Sequence, residues 1–542
     1  MKERQEGYDA MCRGFDWDLP RTFNFGRDVV DAFAKAQPQK LALIACDESG
    51  QEQRFTFGQI SELSGRLANA LVKGGVRCGD RVVVMLPRVP QWQIAMVACL
   101  KVGAVPVPCI EMLTEKDVTY RLAHSGAIAA ITNAASTAKF KIAEALRVRV
   151  AIGGAPGWAD FDEFLACEPA AFEAADLDPD EPAIIYYTSG STGMPKGVTH
   201  ASRALYCWRN SARAWQGLTE DDLIWCTADT GWSKAGTSIL FGPWSRGSAV
   251  LFYNGHFDPV QRLEAISRYG VNVFCGAATE FRHIVNQDFS RYDLSKLRLA
   301  VSAGESVNPE VVKRWQQLTK VPLIEGYGQT ETLMTVSNHP AEPVRAGSMG
   351  RPLPGIEMAV LDDEGGPVPA GERGQLALRL PSPQLMLGYW NDPGKTAQTR
   401  VRHGEVEYFL TGDLAWMDAD GYIYYAGRTD DIISSAGYRI GPMEVENALM
   451  EHPAVAECGV IGSPDPTRGE IVKAFVILRP GFEGSEKLVV ALQEHVKATT
   501  APYKYPRCIE FVRELPRTPT GKLLRRVLRD REAPAANPDV AR

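Results

Sequence analysis

Pro182-Ala183-Ile184-Ile185-Tyr186-Tyr187 runs directly into Thr188-Ser189-Gly190-Ser191-Thr192-Gly193-Met194-Pro195-Lys196-Gly197. The first six residues form an apolar run of strand type. The next ten combine hydroxyls, glycines and a lysine. Glycine lets backbone N–H groups approach an oxyanion, Ser and Thr donate further hydrogen bonds, and lysine adds positive charge, which is the chemistry of a phosphate-cradling loop. It is not a Walker loop, because Lys196 is followed by Gly197 rather than by Ser or Thr. A flexible linker can share this composition, but linkers rarely lie between a buried strand and an amphipathic helix, the setting expected here.

Outward from this run, short apolar segments alternate with helical patterns. Arg81 to Leu86 reads as a strand, Gln91 to Val102 as a helix, and Ala104 to Cys109 as a strand whose prolines place it at a sheet edge or strand end. Val271 to Cys275 and Leu297 to Ser302 read as buried strands. Asn308-Pro309 reads as a helix start. This rhythm predicts an α/β fold with a mostly parallel sheet. A chain of 542 residues exceeds one domain of ordinary size. A boundary is visible near Arg428, where a hairpin segment from Gly421 to Ala426 gives way to the polar stretch Thr429 to Pro442. We therefore divide the chain into residues 1–428 and 429–542. The second part is expected to hold a helix over 443–451, strands over 455–461 and 472–478, and a helix over 485–498. Few residues link the parts, so relative motion is expected. The tail after Glu532 is expected to fray.

Composition excludes several classes. Hydrophobic residues make up 45% and charged residues 23% of the chain, enough for a sizeable core and against wholesale disorder. A net charge of -7 offers no basic footprint for nucleic acid or an anionic membrane. The longest apolar region, Gln91 to Leu113, is interrupted by Lys101, Pro106 and Pro108, so it reads as a buried helix and strand rather than a membrane span. Met1 to Asp18 carries no apolar leader, and its acidic residues fit a mitochondrial transit peptide poorly. The 11 cysteines are scattered, which points to reduced thiols in a cytoplasmic protein rather than a disulfide framework or zinc ribbon.

Tyr186 to His200, YYTSGSTGMPKGVTH, resembles the signature of the adenylate-forming superfamily: acyl-CoA synthetases, amino-acid adenylation domains and firefly-type luciferases. Further motifs follow in that family's order: Glu325-Gly326-Tyr327-Gly328-Gln329-Thr330-Glu331, Tyr408-Phe409-Leu410-Thr411-Gly412-Asp413, Gly427-Arg428-Thr429-Asp430-Asp431 and Pro519-Thr520-Gly521-Lys522. The resemblance covers nearly the whole chain. It implies a large N-terminal adenylate-forming domain with mixed and parallel sheets, and a small mobile α+β C-terminal domain. It also implies ATP as a substrate, held by Thr188, Ser189, Gly190, Ser191, Thr192, Gly193 and Lys196. Gly304, Glu305 and Ser306, with Glu325, Gly326, Tyr327, Gly328, Gln329 and Thr330, would surround the adenine and α-phosphate. Glu331 would help hold Mg²⁺, a hard cation suited to one carboxylate plus phosphate oxygens. Standing alone, Glu331 reads as a solvated glutamate at a helix start and Asp413 as a turn former. The resemblance gives Asp413 the ribose diol, Arg428 a nucleotide contact and Asp430 the hinge.

Lys522 lies in a proline- and glycine-built loop in a basic neighbourhood. Alone it reads as a surface lysine. The resemblance makes it catalytic, with Thr330 and Glu331, holding the substrate carboxylate and the α-phosphate in line while charge develops. Its Pro-x-x-x-x-Gly-Lys context also fits acyl-CoA synthetases silenced by lysine acetylation, so a lysine acetyltransferase and deacetylase are expected partners. Ser435 to Arg439, Met443 to Val455 and Ala501 to Arg507 resemble the medium-chain acyl-CoA synthetase branch. In that branch Ala436, Gly437, Tyr438, Arg439, Arg468, Lys497 and Tyr505 match positions near coenzyme A. Asp229 to Trp232 matches its acyl-pocket region, with Trp232 as a wall. Gly328 stands where acetyl-CoA synthetases carry a capping tryptophan, so the expected acid is medium-chain, branched or small aromatic. The alternatives are a stand-alone adenylation enzyme loading an acyl carrier protein, and a non-catalytic acyl- or nucleotide-binding homologue.

Overall fold

The computed structural model describes residues 7–141, 145–188, 194–304, 307, 309–345, 347–428, 433–516, 523 and 525–532. The described residues fall into two compact units. The larger comprises the chain to Glu111, Val118–Thr188 and Gly197–Gly427. The smaller comprises Met112–Asp117, residues 194–196 and the chain from Arg428 onward.

The larger unit is α/β. Its main sheet has nine strands in the order Arg351–Pro352, Leu333–Ser337, Leu323–Gln329, Leu299–Ala303, Val273–Cys275, Leu223–Cys226, Ala249–Asn254, Leu41–Asp47 and Glu52–Thr56. The six strands from Leu323–Gln329 to Leu41–Asp47 run parallel, and the strands beyond them on both sides are antiparallel. The parallel strands are buried almost throughout, as β-branched runs without alternation require. A second, all-parallel sheet follows the order Val105–Pro108, Arg81–Val84, Ala129–Asn133, Val148–Ile152, Ala159–Asp160. The proline-bearing strand lies at its edge, as its missing N–H groups demand. The helix Pro90–Val102 is apolar all round and buried along nearly its whole length. Its Lys101, 2% exposed, pairs with Asp31 at 2.7 Å.

Pro182–Thr188 is a strand, as its sequence predicts, but the setting of the loop differs from expectation. A second strand, Lys196–Ala201, intervenes before the helix Ser202–Ala214. It is sandwiched between Pro182–Thr188 and Gly388–Tyr389 in a three-stranded sheet. An antiparallel sheet built on Met358–Leu361, Arg373–Arg379, Val406–Met417 and Arg400–His403 completes this unit, with Ile423–Arg428 paired to Val406–Met417.

The smaller unit is α+β. Val455–Asp465 and Gly469–Leu478 form a long antiparallel pair, flanked by Ile433–Ser435, Tyr438–Ile440 and Cys508–Phe511. Helices Pro442–Met450 and Glu486–Thr499 lie where helical periodicity predicts them, and Arg525–Glu532 adds a third. Ile433, Ile440, Leu449, Val460, Val472 and Leu492 belong to a core of its own. No helix among the described residues is long and apolar enough to cross a membrane.

Behind the main sheet, Arg262 and Glu280 are 3% and 8% exposed. Arg262 Nε and Nη2 donate to Glu280 Oε1 at 3.1 and 3.0 Å, within a box formed by Trp225, Tyr253 and Phe257. Removing one partner leaves a buried, uncompensated charge, which costs about 3–5 kcal/mol. Arg262→Met is therefore expected to move the urea midpoint of tryptophan fluorescence sharply downward. All 11 tryptophans precede Arg428, so this signal reports the larger unit alone. A midpoint within about 0.5 kcal/mol of wild type, the range of ordinary surface changes, would show that the pair contributes little.

Candidate active site

Parallel strands deliver their C-terminal ends to one edge of a sheet, where ligands gather. Leu299–Ala303 and Leu323–Gln329 are neighbours there, with Ser302 beside Glu325 and Ala303 beside Gly326. Two of the sequence motifs therefore lie side by side. Gly304 continues with φ near +100°, a conformation that favours glycine. Lys234 Nζ donates to the Ala303 carbonyl at 3.1 Å, which brings a cation to this edge. Glu325 accepts the Val307 N–H at 2.6 Å, and burial raises its carboxyl from 4.5 to about 7.

Beyond Gln329 the chain reverses and returns as Leu333–Ser337, with a register shift at Tyr327/Gly328. A Cβ on Gly328 would stand 2.0 Å from the Leu333 carbonyl oxygen, so the return is closer than any side chain permits. Gly328 is thus required by the backbone here, a constraint distinct from the room for an acyl group read from its sequence position. The Gln329 N–H donates to Thr332 Oγ1 at 3.2 Å, and Gln384 Nε2 donates to the carbonyls of Thr332 and Met334 at 2.7 and 2.9 Å. Glu331 lies in this turn rather than at a helix start. Tyr389 Oη donates to its Oε1 at 2.9 Å, and the Met386 N–H donates to its carbonyl at 2.9 Å. Thr330 Oγ1 meets Ser233 Oγ at 3.1 Å.

Asp413 joins two sheets. It lies inside the strand Val406–Met417, not at the end of a run, and is 1% exposed. Its Oδ2 accepts from Tyr327 Oη at 2.6 Å and Gln329 Nε2 at 2.7 Å. The carboxylate expected to meet the ribose is therefore tied by two hydrogen bonds to the strand that carries Glu325 and Tyr327. Thr188 ends its strand and Lys196 begins the next, both half-buried. Trp232 is half-buried, unlike Trp92, Trp208, Trp215, Trp225, Trp244 and Trp315, which are fully buried. Ser189, Gly190, Ser191, Thr192, Gly193, Glu305, Ser306, Asn308, Asp430 and Lys522 lie outside the described residues, as do the side chains of Arg428 and Arg439. Among the described residues no group of three or more His, Cys, Asp or Glu side chains could hold a metal ion. A lone carboxylate at Glu331 fits a Mg²⁺ that arrives with a triphosphate, which supplies most of its own oxygen ligands.

In the smaller unit, Ala436 and Gly437, with φ near +51° and +81°, form the two-residue turn between Ile433–Ser435 and Tyr438–Ile440. The Ala436 N–H donates to the Arg468 carbonyl at 3.0 Å, and Tyr438 stacks on Tyr503 at 4.2 Å. Lys497 Nζ lies 4.3 Å from the Tyr505 ring centroid and the Arg507 guanidinium 4.9 Å from it. Burial, followed by repulsion from Arg507, lowers the pKa of the Arg468 guanidinium. Three cations thus converge around Tyr505, and such a cluster attracts phosphate groups.

The family profile described as AMP-binding enzyme matches residues 30–390, and that of the AMP-binding enzyme C-terminal domain matches residues 444–522. The chain belongs to the AMP-binding enzyme family. It is 41% identical over 546 residues to the acyl-coenzyme A synthetase ACSM3, mitochondrial, of Mus musculus, covering 97% of this chain and 93% of that one. ACSM4 of Rattus norvegicus is 40% identical, covering 95% and 91%. Among solved structures, the Brucella canis acyl-CoA synthetase is 35% identical with a TM-score of 0.73, covering 97% and 99%. The anthranilate CoA ligase AuaEII, in complex with anthranoyl-AMP, is 34% identical with a TM-score of 0.72, covering 96% and 99%.

Sequence motifs did not single out several polar groups of this AMP-binding enzyme. Ser233, Lys234, Gln384 and Tyr389 act on hydroxyl, backbone or carboxylate atoms far away in the chain, and no local pattern marks them. His200 and Arg507 lie within quoted motifs, where the neighbouring residues drew the chemical argument.

Glu325 provides a test of the site's electrostatics. Its folded-state pKa, about 7, exceeds the ordinary 4.5. The folded state therefore holds the proton more tightly, and this component of stability is full below pH ~4.5 and lost as pH rises towards ~7. The loss is at most about 3 kcal/mol. In the ligand-free AMP-binding enzyme, Glu325→Gln is expected to flatten the fall in urea midpoint across that window. Parallel pH profiles for variant and wild type would refute the assignment.

Proposed function

We infer that this chain is an AMP-forming acid–CoA ligase. It converts a carboxylic acid, ATP and CoA into acyl-CoA, AMP and pyrophosphate through an acyl-adenylate. The observation that carries this reading is family membership across both domain profiles, with acyl-coenzyme A synthetases as relatives over 97% of the chain. The solved relatives include a benzoate CoA ligase and an anthranilate CoA ligase, both acting on aryl acids.

In this reading the larger domain, residues 1–428, binds ATP and the acid, and the smaller, residues 429–542, is a lid that pivots at Asp430. Thr188 to Gly193 and Lys196 hold the triphosphate, Glu325 to Thr330 line the adenine and α-phosphate, and Asp413 and Arg428 hold the nucleoside. Glu331 would hold Mg²⁺, which would supply positive charge to offset that of the phosphates. Lys522 contacts the acid's carboxylate and the α-phosphate. The carboxylate oxygen bonds to the α-phosphorus as the bond to pyrophosphate breaks. The CoA thiolate then bonds to the acyl carbon and expels AMP. Ala436, Gly437, Tyr438, Arg439, Arg468, Lys497 and Tyr505 present CoA for this second step. The convergence of Arg468, Lys497 and Arg507 around Tyr505 supports that role.

The acid is medium-chain, branched or small aromatic. Half-buried Trp232 supports a pocket wall, whereas Gly328 carries no weight for pocket size, because the Leu333 backbone fills the direction its side chain would take. Acetylation of Lys522 would remove the catalytic cation, so a lysine acetyltransferase and deacetylase complete the reading. Its site is cytoplasmic on the evidence of scattered reduced thiols, whereas the mammalian relatives are mitochondrial by name.

A panel of short, medium-chain, branched and aryl acids with ATP, Mg²⁺ and CoA, read by mass detection of thioesters, tests the activity. Thioester from medium-chain or aryl acids, with little from acetate, is the expected result. Transfer only to a phosphopantetheinyl carrier protein would make it a carrier-loading enzyme, and no pyrophosphate release with any acid would make it a binding protein. Lys522→Ala is expected to slow adenylate formation by roughly 10²–10³-fold. A wild-type rate would remove Lys522 from the mechanism.

A further inference from the structure

His200 stands on the strand that begins with Lys196. It is fully buried, and its ring lies against Trp208 with centroids 5.9 Å apart. Its Nε2 is 2.6 Å from the carbonyl oxygen of Thr330. A carbonyl only accepts, so Nε2 carries the proton. Nδ1 is then a bare acceptor, buried without a hydrogen-bond partner. A buried unsatisfied acceptor carries a desolvation cost. Phenylalanine would fill the same space without that cost and would lack only the Nε2–H donor. The donor is therefore what this position supplies.

Its acceptor belongs to the peptide that joins Thr330 to Glu331, so the bond sets the direction in which Glu331 leaves the turn. The flanking bonds act on the same two residues: Ser233 on Thr330, and Met386 and Tyr389 on Glu331. Gly388–Tyr389 pairs with the strand of His200, Gly388 against Thr199 and Tyr389 against Val198. The strand leaving the phosphate loop thus reaches the Glu331 turn twice, directly through His200 and through its paired neighbour Tyr389.

We propose that His200 is a positioning residue that fixes the direction of the Glu331 carboxylate through its Nε2–H bond to the Thr330 carbonyl. Metal ion and triphosphate then meet one preset geometry. The proposal rests on the reading of Glu331 as the Mg²⁺-holding carboxylate.

The test uses the full chain and ATP–pyrophosphate exchange at saturating acid across a Mg²⁺ titration. His200→Phe keeps the shape and removes the donor, and His200→Gln restores an N–H near the Nε2 position. His200→Phe is expected to raise the half-saturating Mg²⁺ concentration about 10- to 100-fold, and His200→Gln to recover most of that shift. Ser233→Ala, which removes the facing bond to Thr330 without emptying the core, is expected to shift the same constant in the same direction. A His200→Phe enzyme that is slower at unchanged half-saturating Mg²⁺ would mark a merely structural role and overturn the proposal. So would a His200→Gln enzyme no better than the Phe variant. If His200→Phe does not fold, His200→Leu, which also lacks the donor, takes its place, and an unchanged constant in that variant overturns the proposal as well. Glu331→Gln separates the two levels. If it leaves the Mg²⁺ requirement unaltered, the metal reading fails and takes the proposal with it. If it alters the requirement while the His200 variants match wild type, only the role of His200 fails.

Discussion

The strand Leu323–Gln329 must stop, reverse and present a carboxylate within a few residues, and most of the site depends on that reversal. The return passes so close that position 328 admits no Cβ. Leu333, with φ near +57°, sits in the left-handed region without being glycine. That conformation costs about 1–2 kcal/mol. Such strain persists only where the surroundings over-determine it. Here Gln384 bonds the carbonyls on both sides of Leu333, Thr332 caps the Gln329 N–H, and His200 and Ser233 hold Thr330. The turn is specified by side chains from elsewhere, and Glu331 has a fixed direction as a result.

Asp413 answers a related problem between sheets. Two sheets with their own registers meet at Asp413, and their relative height must be set by something stiffer than apolar contact, which is non-directional. A buried carboxylate needs donors. Tyr327 and Gln329 supply them from the neighbouring sheet at 2.6 and 2.7 Å. Gln329 Nε2 also donates to the Thr411 carbonyl at 2.7 Å, so one amide links side chain and backbone of the Asp413 strand. Asp413 and the strand Leu323–Gln329 are thereby tied at one point.

What was legible in the chain follows from where the information lies. Pro106 and Pro108 marked an edge strand because a missing N–H is a local fact. The family was legible because the stretch after Tyr187 and the run Glu325 to Glu331 pack its signature into a few residues. The strand Lys196–Ala201 was not, since it is short, runs straight into a helix, and owes its form to pairing with Gly388–Tyr389 from far along the chain. Gly328 was read for the space it leaves, whereas the backbone opposite explains it. Ser233, Gln384 and Tyr389 escaped because each bonds a hydroxyl, backbone or carboxylate group that only the folded chain brings near. Asp413 looked like a turn former because its burial inside a strand is a tertiary property.

The smaller unit treats its catalytic candidate in the opposite manner. Leu515 on one side and Leu523 and Leu528 on the other pack into a single apolar cluster with Ile461 and Phe475. The helix that follows is gripped at both ends: Arg525 bonds both oxygens of Glu446 at 2.8 and 2.6 Å, and Lys473 bonds Glu532 at 2.7 Å. Only Pro516 to Lys522 lie between these anchors. A chain of that length spans at most roughly 3.5 Å per residue, and closing so short a loop costs little entropy. The described residues on either side of Lys522 in the sequence, Leu515 and Leu523, therefore rest on one well-packed base. The larger unit fixes Glu331 by holding the peptide itself. The smaller unit instead fixes Leu515 and Leu523, the residues that bracket its lysine in the sequence.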